Sequence, residues 1–91
     1  MGAIKNFPNG IKFAVSHELS VRFVHEIATR YGFEWRASGR HCPKAIIRFL
    51  YLNRDDKKIG KDNHRRSFNS SFFTEITTTK ELEDWLESLQ S

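Results

Sequence analysis

Residues 45–68 read AIIRFLYLNRDDKKIGKDNHRRSF, and the two halves of this stretch follow different rules. In the first half Ile47, Phe49 and Tyr51 alternate with Ile46, Arg48, Leu50 and Leu52, which predicts a strand over 45–53, buried on one face and partly covered on the other. In the second, residues 53–68 set six lysines and arginines among three aspartates and one histidine, with Gly60 and Asp62-Asn63 as turn signals. A covered strand running straight into a polar hairpin points to a small sheet, whose strand order the sequence leaves open. The apolar side of that sheet needs helices to bury it.

Those helices lie on either side in the sequence. Upstream, the turn-prone stretch 6–10, which holds Pro8, leads into Ile11, Phe13 and Val15, alternating as a short strand. Ser16 then offers an N-cap, with Glu18 in the first turn opposing the positive end of the dipole. Leu19, Phe23, Val24, Ile27, Ala28 and Tyr31 recur at helical spacing, and Gly32 supplies a left-handed stop. Phe33, Trp35 and Ala37 alternate with Glu34 and Arg36 as a further strand before Ser38 and Gly39. Downstream, SFNSSFFTEI over 67–76 predicts more strand. Thr78 and Glu81 form a capping box ahead of Leu82, Trp85, Leu86 and Leu89, the clearest helix signal in the chain. The expectation is a single α+β domain over 1–91: a small, mainly antiparallel sheet of three to four strands, with two amphipathic helices packed on one face.

Ninety-one residues with 38% apolar and 13% aromatic content suffice for one core and not for two. No apolar run approaches the roughly 20 residues that cross a bilayer, and the N-terminus lacks the apolar stretch of a secretion signal. MGAIKN begins with Met-Gly, but Asn6 stands where the myristoylation pattern needs Ser or Thr. A cytoplasmic protein without membrane contact is expected. Cys42 is the only cysteine, which excludes an internal disulfide and a cysteine-based zinc cluster within one chain.

The net charge of +4 is unevenly distributed: residues 36–66 hold ten Lys and Arg against three Asp, while 80–91 hold one Lys against four carboxylates. Clustered charge of this kind suits phosphates or an acidic protein patch. Arg48, Arg54, Lys57, Lys58, Lys61, Arg65 and Arg66 are therefore the candidate nucleic-acid or partner-binding residues, the hairpin cations contacting phosphates and Arg48 extending the strip. His64, Tyr51 or Phe68 can add stacking on unpaired bases. Simple solvation, with the cations discouraging edge-to-edge strand pairing, accounts for the same residues. None of the familiar nucleic-acid modules is present.

Catalytic chemistry has thinner support. Cys42 has His41 beside it and Arg40 and Lys44 near, but neighbours on an extended chain point to opposite faces, and a small apolar role at a strand start accounts for the thiol. His17, His25, His41 and His64 are too scattered to make a metal site, and Asp55 and Asp56 sit where turn chemistry expects aspartate. No Ser-His-Asp order or glycine-rich phosphate loop is found. The reading is a non-enzymatic protein without cofactor or metal.

A short strand, a helix ending in Tyr31-Gly32-Phe33 with Trp35 close behind, a strand ending in Leu50-Tyr51-Leu52-Asn53, then Phe72-Phe73 and a final helix entered through Ile76-Thr77: this pattern resembles many small accessory proteins encoded by bacteriophages. The resemblance implies action by binding, occluding or redirecting a host enzyme or defence complex, in the host cytoplasm. With the basic middle it leads to the expectation of a regulatory or inhibitory protein whose partner is RNA, single-stranded DNA or a nucleic-acid-containing complex. The alternative is a protein-protein inhibitor of a host or defence enzyme with no nucleic-acid contact, in which the basic hairpin or the acidic final helix meets a surface of opposite charge.

Overall fold

In a computed structural model, residues 8–90 are described. The first residues, including the Met-Gly start and Asn6 of the expected turn, lie outside this range. In chain order the elements are β1 (Gly10–Ala14), α1 (Val21–Thr29), β2 (Glu34–Trp35), β3 (Phe49–Asn53), β4 (Lys58–Asp62), α2 (Arg65–Ser70), β5 (Thr74–Glu75) and α3 (Thr79–Ser88). The α+β class holds. The details differ, with five strands and three helices among the described residues where three to four strands and two helices were expected.

The strands form one sheet in the order β2-β4-β3-β1-β5. β3 pairs antiparallel with β1 on one side (Ile11 opposite Leu52, Phe13 opposite Leu50) and with β4 on the other (Leu52 opposite Ile59, Tyr51 opposite Gly60). The two-residue edges β5 and β2 pair parallel to β1 and β4. Only β3 runs against the rest.

This order explains where the helices go. The connection from β1 to β2 moves along the sheet in one direction, and the connection from β4 to β5 moves in the other. Two such crossovers share the right-handed sense only if they pass over opposite faces. Accordingly α1 and α3 cover the face bearing Ile11, Phe13, Leu50, Leu52 and Ile59, contributing Val24, Ala28, Leu82, Trp85 and Leu86 to the main core. α2 lies over the reverse face, where Phe68 stacks on Phe49 at 4.4 Å between ring centroids and Tyr51 packs against Phe68 and Phe73. The expectation of both helices on one face omitted this third layer.

Five local readings are corrected by the structure. Ser16 accepts from the Leu19 N–H at 3.0 Å and closes only a turn; the helix starts after Ser20, whose Oγ accepts from Phe23 N–H at 3.1 Å. It stops at Thr29, two residues before Tyr31, and Gly32 at φ +91° turns the chain so that Phe33 N–H reaches Ala28 O. The strand expected over 45–53 begins only at Phe49. Before it, the Asn63 amide stands in for a neighbouring strand, donating to Ile46 O at 3.1 Å and accepting from Arg48 N–H at 2.8 Å. Gly60, read as a turn signal, sits inside β4 opposite Tyr51; the turn is residues 54–57, where Lys57 adopts a left-handed φ of +53°. Lastly, 67–76 is not one strand but the end of α2 and the short β5, because Phe68 has to cover Phe49 and Tyr51.

The capping box is as expected: Thr78 accepts from Glu81 N–H, and Glu81 accepts from Thr78 N–H at 3.1 Å. Both indole N–H groups find acceptors, Trp85 on Pro8 O at 2.8 Å and Trp35 on His25 Nδ1 at 2.9 Å.

Candidate functional site

The seven candidate cations fall at the two ends of the β3-β4 hairpin. β4 separates these ends by roughly 13 Å, at about 3.3 Å of rise per residue.

At the turn end the cations are engaged. Arg54 donates to the Asn9 side chain, Lys57 to Tyr31 O at 3.1 Å, and Lys58 to Glu34 at 3.3 Å. Two further cations join them, Arg36 pairing with Asp56 at 2.7 Å and Arg40 with Glu34 at 3.4 Å. Hydrogen bonds from Lys58, and then from Arg40, hold Glu34 below the ordinary glutamate range, and Arg36 does the same for Asp56. Much of the turn's positive field is thereby spent within the molecule.

At the other end it is not. Arg48 precedes β3, Lys61 sits opposite Leu50 in β4, and Arg65 and Arg66 open α2. All four are exposed, and none takes part in an ion pair among the described residues. Arg65 rests over the Phe49 ring at 5.2 Å, which fixes the guanidinium stem without neutralising it. One carboxylate lies close by: Asp62 accepts from the His64 N–H at 3.0 Å and from the Tyr51 hydroxyl at 3.4 Å. Burial, and then Asp62, push the Tyr51 hydroxyl pKa up.

Beside this end runs an open groove of about 250 Å³ lined by Ala45, Ile46, Ile47, Lys61, Asp62, Asn63 and His64. Ile46 is 87% exposed. Sequence reading placed Ile46 in a strand and took Asp62-Asn63 as a turn signal, because nothing in the local pattern shows that Asn63 occupies the partner position of residues 46–48. Of the three stacking candidates, Phe68 is buried under the sheet, Tyr51 is half-buried, and His64 lines the groove.

A second recess of about 290 Å³ is lined by His25 and Thr29 of α1 together with Gly32, Phe33, Glu34 and Arg40. Its charged groups already pair with each other. Cys42 is half-buried in the loop before β3, its Sγ 3.8 Å from Pro43 O. No group of three or more His, Cys, Asp or Glu able to hold a metal occurs among the described residues, and no described helix is long and apolar enough to cross a membrane.

No family model matches the chain, and neither a curated protein nor a solved structure is significantly similar to it.

Proposed function

We propose that this protein is a small non-enzymatic regulatory or inhibitory protein of phage type that binds RNA, single-stranded DNA or a nucleic-acid-containing host or defence complex. The observation that carries this reading is the contrast between the two ends of the hairpin. The cations of the turn are tied to carboxylates and carbonyls, whereas Arg48, Lys61, Arg65 and Arg66 stand at the other end of the hairpin without an ion pair among the described residues. Polyanion phosphates are the ligands such an unpaired cluster attracts most strongly, because each contact releases condensed counterions. On this reading Arg54, Lys57 and Lys58 give secondary contacts at the far end.

Fluorescence anisotropy of labelled single-stranded RNA and DNA across a salt series tests the proposal. Micromolar or tighter binding, with a slope of log K against log salt of about −3 to −5, is the expected result for four to five neutralised phosphates. Absence of binding at low salt overturns it and turns attention to the second reading, a protein-protein inhibitor. That reading has one observation of its own. Phe72 is fully exposed between α2 and β5, and exposed aromatics are enriched at protein interfaces.

A further inference from the structure

We infer that the groove between residues 45–47 and the end of β4 seats one unpaired nucleobase of a single strand whose phosphates lie on Arg48, Lys61, Arg65 and Arg66. This rests on the nucleic-acid reading and specifies which part of the ligand is recognised.

The first support is the open stretch of β4. Alternation along the ladder turns Ile59 and Lys61 toward β2, and the ladder ends at the Trp35–Ile59 pair, with Ile59 O taken by Arg36 N–H at 2.9 Å. The backbone N–H and carbonyl of Lys61 thus face outward past the end of β2, a donor and an acceptor side by side in the groove wall. That is the complement of a nucleobase edge. An added peptide strand would need several such outward residues in succession. Here there is one, since the Asn63 side chain already occupies the run beyond it.

The second support is the apolar surface beside that edge. Ile46 is exposed and shares the groove lining with Lys61, and Ile46 and His64 give a base an apolar wall and a ring to lie against. Asn63 holds residues 46–48 through two hydrogen bonds, so the wall is formed before any ligand arrives. Asp62 is the adverse charge in the lining, with one oxygen bonded to the His64 N–H and the other to Tyr51. A duplex keeps its base edges paired and stacked, and cannot present one to this recess.

Anisotropy with three probes of equal length decides the matter: a single-stranded deoxyoligonucleotide, the same backbone with abasic spacers, and a duplex. The expected result is binding of the base-containing strand about tenfold or more tighter than either of the others. Ile46→Ser should lower it to the abasic level, while R65E/R66E weakens all three. An amide NMR shift at Lys61 with the base-containing strand and not with the abasic one is the second expected signature. If all three probes bind alike with a normal salt slope and Ile46→Ser changes nothing, the base site is overturned and the phosphate reading stands. If none binds at low salt, or only an acidic protein segment does, both fall.

Discussion

Lys12, buried at 6% exposure, makes no ion pair among the described residues even though Glu75 is its partner in the β1-β5 register; its Nζ instead finds oxygen at the end of α2, donating to Phe68 O and to Ser71 O while lying 4.7 Å from the Phe68 ring centre. One β1 side chain thereby ties the reverse layer to the sheet. Lys12→Met keeps the stem and removes the donor. Hydrogen bonds from a charged group contribute about 1.5–3 kcal/mol, but relief of the buried amine offsets part of this, so a net loss of about 1 kcal/mol is expected. Hydrogen exchange should rise over residues 65–71 and stay unchanged in α1 and α3. His25 has a comparable part in the main core, as the acceptor for the indole N–H of Trp35, a residue only 1% exposed. His25→Phe orphans that donor and should destabilise by about 1–3 kcal/mol in urea unfolding, with His25→Gln recovering part of the loss through its side-chain oxygen.

At the scale of elements, α3 depends on its cap. The backbone N–H of Thr77, and then Thr78, hold the Glu81 carboxylate below the ordinary glutamate value of 4.5. A lowered folded-state pKa contributes stability that is present above 4.5 and is lost as pH falls through the folded value. An acid titration followed by Trp85 fluorescence should therefore show the wild type losing this increment below pH 4.5, and Glu81→Gln lacking it at neutral pH. Thr78→Ala should cost about 1 kcal/mol. Tyr51 has the opposite sign. Its raised pKa gives stability present below 10 and lost as pH rises through the folded value, so alkali should loosen the α2 layer.

Elements also show where sequence reading succeeds. The capping box of α3, the alternation of β1 and the two covered faces of β3 were evident from local pattern, because each depends on residues a few positions apart. α2 was not, because RRSFNS has one large apolar residue and its helix is specified by Phe49, Tyr51 and Lys12 on other strands. The candidate site divides in the same way. Its cations stand out in the composition, while their separation by β4, and the groove walled by Asn63, depend on pairing that no short window contains.

For the whole molecule, the exposed cations at the groove end of the hairpin stand apart from the main core, while those of the turn also tie it to neighbouring elements. Reversing Arg65 and Arg66 together should leave the unfolding midpoint within a few degrees of wild type, since exposed positions seldom change stability by more than about 0.5 kcal/mol. The same change should flatten the salt dependence of oligonucleotide binding. Reversing Lys57 and Lys58 should affect binding less, and it breaks the pair with Glu34. The strand order adds a constraint on synthesis. β1 has no central partner until residue 53 has been made, and the part of the sheet's main face covered by Leu82, Trp85 and Leu86 stays open until α3 arrives, with α1 covering the rest. At about 5–20 residues per second, the nascent chain therefore spends seconds on the ribosome with the α3 part of its core missing. A chain stalled before α3 is expected to leave the surface that Leu82, Trp85 and Leu86 cover open to chaperones and proteases.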